Sequence, residues 1–194
     1  MNSKIKRERR DEAAVFINFN VPITQSNANQ LMHVVNEMVN VKRRKLVILL
    51  SSTNGDPRAA FSAYNFLTGI VGIQIVTHNM GMVSNNALPL FCVGQMRTCA
   101  PNAVFQFEDP LEVSLGGIMR EYDFVEMLKL MRVIRLECEK IIAHTVGRTE
   151  EEIHELMVQN YFMQAGEAIK FKLAQRIEEK LMQAGDIVIN IENK

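Results

Sequence analysis

The sequence predicts a single α/β domain whose β-sheet is mainly parallel. Apolar runs at residues 15–19, 46–50 and 73–77 are each followed by turn residues and then by apolar residues at helical spacing. The run at 46–50 is apolar at every position, as expected of a strand that is buried on both faces of a sheet. Repetition of strand, loop and helix gives βαβ units, and the strands of such units are parallel.

The predicted elements follow one another without a linker or an internal repeat. Those of the first half are a strand at 15–19, a helix capped by Thr24 that ends near Asn40, a strand at 46–50, a helix that ends near Gly69, a strand at 73–77, a turn at Gly81 and a helix that reaches Gly94. Those of the second half are an extended stretch at 104–107, a long helix at about 118–145, helical segments at 150–157 and 166–183, and a strand-like tail at 186–191. In parallel sheets, ligands and chemistry gather at the loops that follow the carboxyl ends of the strands, here 51–57 and 78–86.

Composition narrows the function classes. Residues 1–14 form a basic arm, interpreted as exposed and solvated, and residues 15–194 form one domain. The 22 basic and 22 acidic residues cancel, so no overall field favours nucleic acid or an anionic membrane.

No apolar run approaches the roughly 20 residues of a membrane span, and no signal peptide is evident. The three cysteines form no CxxC pair, and the histidines show no ligand spacing. We therefore expect a soluble cytoplasmic protein without a metal ion or cofactor.

Several blocks along the chain resemble the proteolytic subunits of the Clp protease. Ser51-Ser52-Thr53-Asn54-Gly55 stands where that family has roughly Asn-Ser-Pro-Gly-Gly, and Gly81 to Gly94 keeps the spacing of its Gly-x-Ala-Ala-Ser-Met-Gly-Ala block. Pro101 to Pro110 keeps the spacing of its Pro-Asn to His-Gln-Pro block, and Ala165-Gly166-Glu167-Ala168 matches its Ala-x-Glu-Ala. The resemblance covers about residues 14–178. It implies the fold shared by these proteases and the crotonases, with ββα and βαβ units and a long handle-type helix at about 118–145.

The resemblance places the catalytic triad of the family on residues that lack its chemistry. The nucleophilic serine falls on Asn85, the general-base histidine on Glu108 and the orienting aspartate on Asn160. A serine attacks a peptide only after an imidazole takes its proton, and a carboxylate must hold that imidazole in the correct tautomer. The family activity is that of a serine endopeptidase. These three positions instead predict a non-catalytic pseudo-peptidase.

The oxyanion hole of the family maps onto the backbone N–H groups of Gly55 and Asn86. Backbone donors can persist when side chains change. However, the first glycine of the family's pair is Asn54 here, and Asp56 adds a negative charge nearby. We therefore expect a degraded oxyanion hole.

Two residues near the site are candidates to replace missing triad members. Ser84 precedes the nucleophile position, but one residue on a helix rotates a side chain by about 100°, away from the site. His78 lies seven residues before Asn85 at the end of a strand, where a structural role is the simpler interpretation. Shifted residues of this kind would give an active serine-type hydrolase. A third reading is crotonase-like chemistry on an acyl thioester, with Glu108 as acid or base.

The resemblance also implies partners. In the family, the long helix joins two rings into a barrel, so we expect self-association into rings, either of this chain alone or with an active paralogue, in a scaffold or regulatory role in protein quality control. Only about fourteen residues precede Val15, where the family has a longer extension that engages an unfoldase. Docking of a Clp ATPase is therefore not expected.

Overall fold

The computed structural model describes residues 14–53, 55–110 and 120–193 and confirms an α/β fold. Its elements are β1 (Val15–Phe19), α1 (Gln25–Asn40), β2 (Lys45–Ser52), α2 (Pro57–Thr68), β3 (Gln74–Ser84), α3 (Ala87–Phe91), β4 (Met96–Cys99), β5 (Val104–Gln106), α4 (Glu121–Val146), α5 (Glu150–Val158), β6 (Phe162–Gln164), α6 (Ala165–Lys170), β7 (Arg176–Ile177) and β8 (Ile187–Asn190). All strand pairs are parallel except β5 with β6. Residues 1–13 of the basic arm and the start of the predicted handle helix at 118–119 lie outside the described residues.

The strand β3 is the point at which the eight-stranded sheet branches. Its first part pairs with β2 and β4, giving the order β7-β4-β3-β2-β1-β8. Its last residues pair with β5, which leads to β6. The branch formed by β5 and β6 therefore leaves the sheet at the carboxyl end of β3.

The sheet buries side chains on both faces. Leu46, Ile48 and Leu50 of β2 join the main core, which the helices cover. The alternate residues of the strands form a second cluster on the opposite face, which we call the open-face cluster: Phe16, Val47, Leu49 and Val76. Because successive side chains of a strand point to opposite faces, this division explains why β2 is apolar at every position.

The predicted turn at Gly81 and the helix from there to Gly94 are wrong. The strand β3 continues through Gly81 to Ser84, and α3 spans only Ala87–Phe91. The register of β3 against β2 shifts in this region, and a Cβ atom at Gly81 would lie 3.3 Å from the Ser51 hydroxyl. A glycine inside a strand often marks such an irregularity. Gly81, which the sequence analysis interpreted as a turn residue, therefore marks the irregularity in β3.

The predicted helix at 166–183 is also wrong beyond Lys170. The chain leaves α6 through Lys172, whose φ is +64°, and then forms β7. The buried guanidinium of Arg97 donates hydrogen bonds to the carbonyl groups of Lys172 and Leu173, at 3.3 and 2.8 Å. These carbonyl groups are thus satisfied by a side chain from β4, a partner that local sequence does not reveal. The predicted strand tail is confirmed as β8.

The helix α2, which follows the loop of Gly55, has a side-chain cap. The Asp56 carboxylate accepts a hydrogen bond from the Arg58 backbone N–H at 2.9 Å, and Pro57 begins the helix. We expect Asp56→Ala to lower the free energy of unfolding by about 1 kcal/mol, as other lost caps do, and Asp56→Asn to lower it less because asparagine also caps. Urea denaturation measures both, and equal losses in the two variants would contradict the cap.

Candidate functional site

The three positions that match the catalytic triad lie at one end of the sheet. Asn85 directly follows β3, Glu108 lies two residues after β5, and Asn160 precedes β6. The register of β3 and β5 places Ser84 beside Gln106, and β6 pairs with β5 on its other side. Strand pairing therefore brings three positions that are distant in sequence into one region.

A single amide group joins two of these positions. The Gln106 Nε2 atom donates to Glu108 Oε2 at 3.1 Å and to Asn160 Oδ1 at 2.7 Å. Sequence reasoning did not select Gln106 as a site residue. The sequence feature that could have identified Gln106 is its position two residues before Glu108, because this spacing puts both side chains on the same side of an extended chain.

Asn85 holds the turn from β3 into α3. Its φ is +54°, a left-handed conformation that asparagine adopts more readily than most residues. The side chain is only 8% exposed, and its carboxamide oxygen has no hydrogen-bond donor among the described residues. A carboxamide in this position has no hydroxyl or thiol with which to form an acyl-enzyme.

The Asn86 side chain fastens two segments of the site together. Its Nδ2 atom donates to the carbonyl oxygens of Gly55 at 2.9 Å and of Pro110 at 2.7 Å. Gly55 in turn forms a parallel bridge with Ile23, and a Cβ atom at Gly55 would lie 2.5 Å from the Cβ of Ile23. The loop therefore needs a glycine at this position for close packing.

This close approach gives a stability prediction with an internal control. Gly55→Ala is expected to lower the free energy of unfolding by roughly 1–3 kcal/mol, because the rigid backbone and Cβ of Ile23 must move. Gly166→Ala, in α6, meets no atom within 4 Å and is expected to leave stability unchanged or raise it by up to about 1 kcal/mol. Chemical denaturation of both variants tests the claim, and a neutral Gly55→Ala would contradict it.

The charge of Asp56 is compensated within its own segment. Its two carboxylate oxygens each accept a bond from the Arg58 guanidinium at 3.0 Å, and this interaction is the main cause of the lowered pKa of Asp56. With its charge compensated, Asp56 opposes an oxyanion less strongly than the sequence suggested. Asn54, the other basis for a degraded hole, lies outside the described residues.

The two candidate substitutes have structural partners. The fully buried Ser84 hydroxyl donates to the Thr53 carbonyl at 3.1 Å. His78 is 2% exposed and shares a 2.8 Å hydrogen bond with the Thr98 hydroxyl. Seven residues of strand place it roughly 20 Å from Asn85. These placements favour structural roles over replacement of a nucleophile or a base.

An ionic cluster connects this region to the long helix α4. Arg135 lies 3.7 Å from the carboxylate of Asp109, the neighbour of Glu108, and 3.4 Å from that of the buried Glu139. The Nδ1 atom of His154 on α5 is 2.7 Å from the same Glu139 carboxylate. Ion pairs thus link the segment with Glu108 to α4, and a hydrogen bond links α4 to the helix that leads to Asn160.

Within the described ranges, no group of three or more histidine, cysteine, aspartate or glutamate side chains is arranged to hold a metal ion. Similarly, no helix among those described is long and apolar enough to cross a bilayer.

A sequence model of one protein family, described as Clp protease, matches residues 4–180 of the chain. The match covers most of the 194 residues and includes every residue of the candidate site. The chain therefore belongs to the Clp protease family.

Proposed function

We propose that this member of the Clp protease family is a non-catalytic subunit that assembles into rings and serves as a scaffold or regulatory subunit. The observation that carries the proposal is the Gln106 amide, which holds Glu108 and Asn160 while Asn85 stands at the nucleophile position. In this arrangement an amide and a carboxylate occupy the positions of the base and its orienting group.

The chemistry of the region supports this proposal. Acyl transfer needs a nucleophile, a base that takes its proton and a group that orients the base. Asn85 supplies no nucleophile. Glu108 has no hydroxyl at position 85 to deprotonate, and the carboxamide of Asn160 has no charge with which to stabilise an imidazolium. Loss of a single triad member already costs about 10⁴–10⁶ in rate, so these changes together remove the mechanism.

The helix α4 provides a surface for assembly. It has 26 residues, about 39 Å of helix, but its buried residues all lie in the second half, from Ile134 onward. The first half carries exposed apolar side chains: Tyr122, Phe124, Val125, Leu128, Leu130 and Val133. Exposed apolar side chains gathered on half of one helix are typical of a surface that a protein partner covers. It supports self-association, which is typical of the family, either with copies of this chain or with an active paralogue.

We also propose a cytoplasmic location. Cys92, Cys99 and Cys138 are all buried free thiols, as is usual in reducing compartments. Burial raises the pKa of Cys92 and of Cys99 to about 11, so these thiols are inert at neutral pH.

The experiment that tests the catalytic part is labelling with a fluorophosphonate probe, read by intact mass. We expect no covalent adduct on the wild-type protein, with an active Clp proteolytic subunit as the positive control. An adduct on Ser84 or any other serine would show a hydrolase with shifted residues. Acyl-CoA retained in native mass spectrometry would instead favour acyl-thioester chemistry at Glu108.

Light scattering tests the assembly part. The wild-type protein is expected to form a multi-subunit particle at micromolar concentration, and Leu128→Asp is expected to weaken its association at least about tenfold by placing a charge in the apolar surface. Val71→Asp changes a side chain that is 90% exposed in the α2–β3 loop and serves as the matched control. A monomeric wild-type protein would contradict the proposed assembly into rings.

A further inference from the structure

The C-terminal tail crosses the sheet from one edge to the other. Along the path through β4, the strand order is β7-β4-β3-β2-β1-β8, so the tail leaves the first strand of this order and ends in the last. Five strand spacings amount to about 24 Å, and the ten residue steps from Ile177 to Ile187 reach at most about 35 Å. We call residues 178–186 the strap. It is long enough to cross, with some slack.

The strap covers the open face of the sheet above a cavity. This cavity measures about 800 Å³, and its walls include Leu181 and residues 183–186 of the strap. Phe16, Val47 and Val76 of the open-face cluster line it from the sheet side. Leu181 is the strap residue that packs against this cluster. The rest of the strap is held loosely: Met182 is 51% exposed, and residues 183–185 are exposed as well.

The strand β8 is held much more specifically than the strap. It pairs in parallel with β1 over four residues, in the register Val15 to Ile187 through Asn18 to Asn190. The Asn18 side-chain amide donates to the Asn190 side chain at 2.9 Å, and the Ile191 N–H donates to the Asn18 carbonyl at 2.9 Å. Ile191 itself is buried in the main core.

The final residues add polar contacts to α1. Asn27 donates from its side chain to Asn193 at 3.1 Å, and Gln30 donates to the Glu192 carbonyl at 3.0 Å. A well-defined strand at the end of a weakly held strap is the arrangement in which a segment can leave its own chain and enter an identical site elsewhere. Residues 187–193 also lie beyond residue 180, where the family match ends.

We propose that the edge of β1 is a strand-acceptor site, which β8 fills within its own chain and which the β8 of a second copy fills by exchange. The partner is identified by its chemistry: the site takes an extended Ile-Val-Ile-Asn-Ile segment in parallel alignment, with the last isoleucine in the core and the asparagine against Asn18. The tail of a second copy meets these requirements by sequence identity. The inference does not depend on the absence of peptidase activity.

Disulfide trapping of the full-length chain tests this proposal. Asn18 and Asn190 face each other on neighbouring strands, whose spacing of about 4.8 Å lies within the Cα–Cα range of disulfides. One population carries Asn18→Cys and the other Asn190→Cys. After mixing and mild oxidation, we expect a covalent heterodimer, resolved by mass, at a yield at least about tenfold above that of a Val71→Cys and Asn190→Cys mixture. The tail has a high effective concentration in its own chain, so this covalent trap is needed to accumulate the exchanged form.

The doubly substituted chain, Asn18→Cys with Asn190→Cys, tests whether β8 occupies the edge of β1 within its own chain. It is expected to close an internal disulfide. Ile191→Ala placed in the Asn18→Cys chain alone is expected to raise the heterodimer yield, because that chain's own tail is weakened while the Asn190→Cys tail keeps its core isoleucine. If the internal bond forms but the mixture gives no more heterodimer than the Val71→Cys control, exchange does not occur and the proposal is wrong. If the internal bond does not form, β8 does not occupy the edge of β1, and the proposal is equally overturned.

Discussion

Asn85→Ser, Glu108→His and Asn160→Asp, combined in one chain, are expected to create fluorophosphonate labelling at position 85 that the wild-type protein lacks. The reason is that strand pairing already brings the three positions to one end of the sheet, with Asn85 in a left-handed turn between β3 and α3. The loop of Gly55 is also held in place, by Ile23 and by the Asn86 side chain. We therefore expect the backbone to support the triad once the three side chains supply its chemistry.

The labelling rate separates this explanation from non-specific reactivity. A chain missing any one of the three changes lacks the nucleophile, the base or the orienting carboxylate, so the triple variant is expected to react roughly a thousandfold faster or more than the double variants. Adding Gln106→Ala to the triple variant is expected to increase the rate further, because the Gln106 amide otherwise holds the residues at 108 and 160.

Stability measurements make the outcome interpretable. A serine at position 85 adopts the left-handed turn less readily than asparagine, so each variant is first compared with the wild-type protein by urea denaturation. A triple variant that is folded but unlabelled would show that the backbone no longer provides the triad geometry. Labelling of the wild-type protein would contradict the proposed loss of catalysis itself.

Elements set by local sequence could be predicted. The apolar runs of β1 and β2 and the capped helix at Thr24 needed no distant partner to be recognised. By contrast, the extension of β3 to Ser84 depends on its pairing with β5, and the end of α6 depends on carbonyl contacts from Arg97. Both are long-range interactions, which override local turn and helix signals.

The same distinction applies to the candidate site. The resemblance to the Clp proteolytic subunits singled out Asn85, Glu108 and Asn160, and the structure places them at the same end of the sheet. The Gln106 contact with Asn160 joins residues 54 positions apart, so it could not be read from spacing. Arg58 lies only two residues after Asp56. Its hydrogen bond to the Asp56 carboxylate nevertheless could not be predicted, because it depends on the side-chain rotamers at the start of α2.

The second large effect expected is a loss of stability in mild acid that originates at His78. Burial lowers the pKa of His78 to about 4, while a histidine in the unfolded chain titrates near 6.5. Its ring is 2% exposed and bonded to the Thr98 hydroxyl, so the folded protein keeps it neutral. At neutral pH both states are neutral at this residue, and His78 contributes no pH dependence.

Between pH 6.5 and 4, the unfolded chain binds a proton that folded His78 does not, so the free energy of unfolding falls as the pH falls, by up to about 3 kcal/mol in total. Carboxylates also titrate in this range, so the quantity to measure is the difference between the wild-type protein and His78→Gln, from urea denaturation at pH 7.5, 6.5, 5.5 and 4.5. This difference is expected to shift against the wild-type protein by about 2–3 kcal/mol across the series. His33→Gln, which removes an exposed histidine of α1, is measured alongside as the matched histidine substitution. A constant difference between the wild-type protein and His78→Gln at all four pH values would mean that burial does not lower the pKa of His78, and would contradict this prediction.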